Sequence, residues 1–238
     1  SSAYDFTVDE RNGNIVILSA GSQIYIYNSE GGFLGKRKIS DARLIQIERI
    51  KDGFLASVSE TEAIENDSTF LFYRFDNDFN PVAAKFKPDK EDNFITNNGT
   101  QISIVNGNGL IFNNFPGKVY LYDCKEDTAG YYYRFKLPMQ LTWEENQDFM
   151  AFENALINHC WTNKFHINSK LALISYKGKD SKMHTVALNN HNLHLINIVQ
   201  ESIPNRLITT NDKFISIEDT TDDSNFDLVI LKVNDAQF

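Results

Sequence analysis

A chain of 238 residues with 42% apolar side chains can bury one large core or one closed array of repeats, and five prolines and twelve glycines exclude a collagenous or low-complexity chain. A formal charge of −9 and a pI near 5.0 exclude binding to nucleic acid or to an anionic membrane unless a local basic patch provides it. The densest basic run, Lys36-Arg37-Lys38, falls on a predicted outer strand and reads as a solvated face, and the longest apolar runs are far short of the ~20 residues that span a bilayer as a helix.

Short alternating strands separated by turns recur five times. In the first unit (about 5–40), Phe6 and Val8 alternate with polar neighbours, Asn12-Gly13-Asn14 reverses the chain, and Ile15 to Leu18 is apolar. Ala20-Gly21-Ser22 turns again before Ile24 to Tyr27, and Glu30-Gly31-Gly32 leads into Phe33-Leu34. The second unit (about 44–88) offers strands at Leu44 to Ile50, Gly53 to Val58, Thr69 to Phe75 and Pro81 to Phe86, with an acidic loop from Ser59 to Ser68. The third (about 100–138) offers Gln101 to Val105, Gly109 to Phe112, Lys118 to Tyr122 and Tyr131 to Leu137. Its reversals are at Asn106-Gly107-Asn108, Phe115-Pro116-Gly117 and Lys125 to Gly130. In the fourth (about 152–200), Glu144 to Asn154 suggests one or two helical turns. Strands then run over Ala155 to Phe165, Leu171 to Tyr176, Met183 to Leu188 and Leu193 to Val199. The fifth (about 205–234) holds only three: Arg206 to Thr209, Lys213 to Ile217 and Phe226 to Val233.

Units of four antiparallel strands recurring every ~40–55 residues are the signature of β-propeller blades. The expected fold is therefore all-β, a single β-propeller domain over 1–238 with five blade units visible, part of a six-bladed ring. The first unit owns four strands and has none to lend to the three-stranded last unit. The expectation is that residues upstream of Ser1 complete the ring; a five-bladed ring closed in another way is the alternative.

The segment YDFTVDERNGNIVILSAGSQIYIYNSEGGFLGKRKI resembles the second blade of the six-bladed β-propeller proteins common in Bacteroides and relatives. GLIFNNFPGKVYLYD and the closing NFDLVILKVND are similar to later strands of that family, although Phe226-Asp227 stands where Asn-Pro is usual. The glycine- and proline-rich segment that precedes the second blade in the family does not appear, which fits a lost N-terminal blade. The pattern is also similar to NHL-type propellers, which act mainly as binding platforms. The resemblance implies a lipoprotein of the periplasm or cell surface, with a lipid anchor upstream, and it implies no activity.

Chemistry-bearing residues give weak signals. All five histidines (His159, His166, His184, His191, His194) lie within 36 residues with Cys160 beside them, but His191 and His194 are three apart on a predicted strand and point to opposite faces. Asp76-Asn77-Asp78-Phe79-Asn80 imitates the start of a calcium loop but lacks the glycine and glutamate that complete one, so it reads as a turn. No metal site and no cofactor is expected. Cys124 and Cys160 fall in different units and read as unpaired thiols. No nucleophile elbow, phosphate-binding loop or zinc-protease motif is present. The candidate ligand-binding groups are Trp143, Trp161, His166 and Tyr131, because an exposed ring offers stacking area and a polar tip. Two functions remain. The first is a non-catalytic envelope module that binds a protein partner or glycan through loops on one ring face. The second is a glycan hydrolase or lyase using carboxylates near the axis, with loop candidates Glu60, Glu62, Glu144, Glu145 and Glu201. Converging carboxylates or histidines at the axis would favour the enzyme.

Overall fold

The alternation in the first unit folds as an antiparallel meander: β1 (Ala3–Asp9), β2 (Asn14–Ser19), β3 (Gln23–Tyr27) and β4 (Phe33–Lys38), hydrogen-bonded in chain order. The computed structural model describes residues 3–58, 70, 72–85, 101–105, 108–113, 117–141, 149–168, 170–189, 195–199, 207–209, 214–219 and 226–231. The predicted acidic loop at 59–68 and the loop carboxylates Glu60, Glu62, Glu144, Glu145 and Glu201 lie outside the described residues, as do His191 and His194.

The meander repeats. β5 (Leu44–Ile50), β6 (Gly53–Val58), β7 (Phe72–Phe75) and β8 (Pro81–Lys85) form the second sheet. The third is β9 (Gln101–Val105), β10 (Asn108–Asn113), β11 (Lys118–Asp123) and β12 (Thr128–Arg134). The helix α1 (Phe149–Asn158) precedes the fourth, β13 (Trp161–Ile167), β14 (Leu171–Lys177), β15 (Met183–Asn189) and β16 (Leu195–Val199). The fifth has three described strands, β17 (Leu207–Thr209), β18 (Phe214–Asp219) and β19 (Phe226–Leu231). The first strands of successive sheets are neighbours, β1 beside β5, β5 beside β9, β9 beside β13 and β13 beside β17. Blades arranged this way put those strands innermost, around a common axis.

The apolar side chains form one core per blade interface. Val16, Leu18 and Ile24 of the first blade pack on Leu44, Ile47, Phe54 and Phe75 of the second. Ile50, Leu55 and Phe72 of the second meet Ile102, Tyr120 and Tyr122 of the third. Leu110, Val119 and Phe135 of the third meet Phe165, Ile167 and Ile174 of the fourth. This explains why β6 and β14 read as continuous apolar runs while β1 alternates. A strand sandwiched between two blades is buried on both faces; β1 is buried on one. The other face of the first blade carries two cross-strand rows, Phe6-Ile17-Tyr25 and Val8-Ile15-Tyr27-Phe33. Phe6 is 49% and Phe33 57% exposed there.

Several boundaries differ from the sequence reading, and two of the differences have a visible cause. The third blade's last strand begins at Thr128 rather than Tyr131, because Asp123 Oδ1 accepts the N–H groups of Lys125 and Glu126 and Asp127 at φ 53° closes the reversal early. Gly130, expected in the turn, sits in the strand opposite Leu121. The fourth sheet begins at Trp161 rather than Ala155, because Phe152, Ala155 and Leu156 follow helical spacing and bury one stripe against Leu141 and Trp161.

Candidate functional site

An innermost strand is an edge strand, so alternate N–H and C=O groups on its axial side lack ladder partners and need others. In this protein the preceding blade supplies them. Asp5 Oδ2 accepts the N–H of Ile47 at 2.8 Å, and Thr7 Oγ1 accepts that of Arg49 at 3.1 Å. Gln46 Oε1 accepts the N–H of Ile102 at 2.7 Å, while its Nε2 donates to the Ile102 carbonyl at 2.8 Å. Gln101 Oε1 accepts the N–H of Phe165 at 2.9 Å. Asp5, Gln46 and Gln101 hold one register position, opposite Leu18, Ser57 and Phe112 of their second strands. Lys164, opposite Ser175, holds the same position in the fourth blade.

Two residues further along each strand stand Thr7, Glu48, Ser103 and His166, opposite Val16, Leu55, Leu110 and Leu173. The four inner strands thus present a belt of polar side chains, Thr7 and Ser103 buried and the others half-buried, some spent on stapling blades together and some not. Glu48 accepts only a 3.3 Å bond from Gln46 Nε2, and the imidazole of His166 has no hydrogen-bond partner among the described residues.

The belt's acid–base state follows from its surroundings. Burial, aided by the neighbouring charge of Asp5, pushes Glu48 up to about 8; burial also raises Asp5 to about 6, against the opposing pull of the Ile47 and Phe6 N–H groups. Burial and then the charge of Lys164 lower His166 to about 4. At pH 7 Glu48 holds its proton, Asp5 is ionised and His166 is neutral.

A stability signature follows. A carboxyl whose folded pKa is raised binds protons more tightly when folded, so it penalises the fold increasingly as pH climbs from the unfolded to the folded value. For Asp5 that window is 3.8 to about 6 and for Glu48 it is 4.5 to about 8. His166, depressed from 6.5 to about 4, works the other way: stability is lost as pH falls through that window. Asp5 and His166 oppose one another at lower pH, so Glu48 dominates above 6.5. Glu48→Gln is expected to gain about 2 kcal/mol over wild type at pH 8.5 and little at pH 5, measured by urea unfolding. A gain independent of pH would contradict this assignment.

The four residues singled out from sequence are not gathered at one place. His166 is on the belt. Trp161 lies at the start of β13, packed over α1, with its indole N–H donated to the Leu156 carbonyl at 3.1 Å. Tyr131 is on β12, the outermost strand of its blade, paired with Tyr120, and Trp143 lies outside the described residues. Sequence reasoning missed Asp5, Gln46, Glu48, Gln101 and Lys164, although a signal exists. The inner strands read DFTV, QIER, QISI and KFHI, polar at the first and third places every time.

At the same end of the fourth blade a cleft of about 560 Å³ is lined by Lys136, Cys160, Tyr176, Lys179, Asp180 and His184, among others. His184 Nε2 is 2.8 Å from Asp180 Oδ1, and its ring stacks on Tyr176 with centroids 5.4 Å apart. Both thiols are free, Cys160 fully buried and Cys124 half-buried. Among the described residues no group of three or more His, Cys, Asp or Glu is placed to hold a metal ion. No described helix is long and apolar enough to cross a membrane.

Comparison with known proteins agrees with this architecture. The chain superposes on a "Putative exported protein" from Bacteroides fragilis with a TM-score of 0.68 at 13% identity, covering 90% of this chain and 66% of that one. It also resembles the Pan2 WD40 domain of Neurospora crassa (TM-score 0.52, 12% identity, 95% of this chain and 60% of that one). U3-55K is a third (TM-score 0.51, 7% identity, 91% and 60%). The chain therefore spans less than two thirds of the length of these structures, and at such identities the likeness is one of fold. No curated protein sequence matches the chain. The signature of the family described as 6-bladed beta-propeller, DUF5128, matches residues 2–225, and the chain belongs to that family.

Proposed function

We propose that the protein is a binding module of the bacterial envelope, a platform of the NHL type, whose inner-strand belt holds a neutral, hydroxyl-rich ligand such as a glycan. The observation that carries this reading is the convergence of polar side chains from four consecutive inner strands, with Glu48 and His166 not committed to stapling blades. Beside the ionised Asp5 and the charge of Lys164, which are opposite in sign, a protonated carboxyl, a neutral imidazole, hydroxyls and two amides supply uncharged donors and acceptors, which suit sugar hydroxyls better than phosphates. Export and lipid anchoring rest on the family resemblance, and the fold likeness to an exported protein of Bacteroides fragilis supports export. We further propose that a sixth blade elsewhere in the polypeptide covers the apolar face bearing Phe6 and Phe33.

A thermal-shift screen of the chain with neutral and acidic glycans at pH 7 tests the function. A specific ligand at ~100 times its dissociation constant adds roughly 2.7 kcal/mol, about 5 °C or more for a chain of this size. A neutral oligosaccharide is expected to produce such a shift, and His166→Ala to abolish it. No shift with any glycan would leave a protein partner as the function of this face.

The electrostatic coupling of Asp5 and Glu48 favours a second reading, glycan cleavage with Glu48 as the proton donor. Glu48→Gln separates the two, since an amide still binds hydroxyls but donates no proton in catalysis. Product formation by wild type, lost in Glu48→Gln with binding retained, would establish the enzyme.

A further inference from the structure

The first three blade junctions are held by one device. An acceptor on the inner strand of one blade takes an N–H of the next: Asp5 that of Ile47, Gln46 that of Ile102 and Gln101 that of Phe165. Thr7 adds a second such bond at the first junction, taking the N–H of Arg49. The fourth junction brings β13 beside β17. There Lys164 holds the register position that Asp5, Gln46 and Gln101 hold before it. An ammonium donates and accepts nothing, so Lys164 can take a carbonyl of the next strand but none of its N–H groups. His166, at the position of Thr7, has an imidazole able to accept, yet it makes no hydrogen bond among the described residues. Since β17 is the inner strand of its sheet, its N–H groups facing away from β18 have no ladder partner and gain none from these two positions. Burial also holds the Lys164 ammonium below its ordinary range, a further cost at the same junction.

We propose that the junction between the fourth and fifth blades is the seam at which the ring opens. Three junctions are stapled through an acceptor and the fourth is not, so β13 parts from β17 at lower cost than any earlier pair of inner strands. His166 stands on β13 beside this seam. Opening there uncovers its side of the belt to solvent and ligand while the first four blades stay joined. The seam is a property of the ring and is independent of what the belt binds.

Amide hydrogen–deuterium exchange of the intact chain, read by mass spectrometry on peptides covering β5, β9, β13 and β17, tests the seam. In wild type the β17 peptide is expected to exchange faster than the other three. Lys164→Gln puts an acceptor at the position that Gln46 and Gln101 hold in their blades. It is expected to slow exchange of β17 by about fivefold, the worth of one ordinary hydrogen bond. Lys164→Met removes the charge without adding an acceptor, and is expected to leave β17 within about twofold of wild type. Gln101→Lys is the reciprocal change: it is expected to speed exchange of β13 by about fivefold, and it decides the matter if Lys164→Gln does not fold. Equal protection of all four inner strands in wild type, no slowing of β17 in Lys164→Gln, equal slowing in Lys164→Met, or unaltered β13 in Gln101→Lys would each overturn the proposal.

Discussion

Gly53→Ala is expected to cost on the order of 4 kcal/mol or more, a large share of the roughly 5–15 kcal/mol that keeps an ordinary domain folded. Gly53 follows a two-residue turn and opens β6, paired with Ile50, at φ +143°, a conformation that L side chains rarely adopt. A Cβ there would stand 1.9 Å from the carbonyl oxygen of Phe75 and 3.1 Å from Asp76 Cα. Those are backbone atoms, and Phe75 belongs to β7, paired with Phe54, so relief would require breaking the second blade's ladder. The Gly53 carbonyl also accepts a hydrogen bond from Arg49. Gly35→Ala is the control: a Cβ at this β4 position meets nothing within 4 Å, and its effect is expected to stay within about 0.5 kcal/mol. Urea denaturation of both variants measures the contrast, and a Gly53→Ala protein within about 1 kcal/mol of wild type would contradict the geometry.

Asp9→Ala is expected to cost about 3–5 kcal/mol, because it strands a guanidinium between two blades. The Asp9 side chain is 6% exposed and accepts from Arg11 Nε at 2.9 Å as well as from Arg49 Nε. Arg49, itself 10% exposed, keeps its bond to the Lys51 carbonyl and its place over the Phe54 ring, but loses its hydrogen-bonded counter-charge and retains the weaker field of Asp52. The hydrogen bond from Arg11 is the main reason that the Asp9 carboxyl sits below its ordinary range, with burial opposing it. A depressed carboxyl contributes stability that is present above its unfolded pKa and lost as pH falls through the folded value. The gap between wild type and Asp9→Asn is therefore expected to be full at neutral pH and to close below about 4. A gap unchanged by acid would show that shape, not charge, is what Asp9 supplies. Since Arg49 bonds both Asp9 and Gly53, the two substitutions share a partner and their costs are not expected to add.

How much of this was legible in the sequence depends on how local the cause is. The strands Leu44–Ile50, Gly53–Val58 and Gln101–Val105 were read to the residue, because turn chemistry and alternation are local and agree there. Where a turn could close at more than one place the boundary slipped: Asp123 and Asp127 completed the third blade's last reversal before Gly130 was reached. The apolar residues from Ala155 to Ile157 fit either a strand or a helix, and burial against Leu141 and Trp161 decided for the helix. Aromatic rings drew attention as binding groups, yet Trp161 is engaged with the carbonyl of Leu156. The belt residues are unremarkable singly. A glutamine at 46 and another at 101 acquire meaning only when blade packing brings each to the next strand's free N–H. Neither that packing nor the raised acidity range of Glu48 is a property of neighbours in sequence.

The central claim is that the inner-strand belt is the ligand surface. Hydrogen–deuterium exchange of the intact chain, with and without the neutral oligosaccharide that gives the largest thermal shift, tests it directly. Slowed exchange concentrated on β5, β9 and β13, around Glu48, Ser103 and His166, is the expected result. Protection confined to the outermost strands β4, β8 and β12, or to α1 beside Trp161, would contradict it.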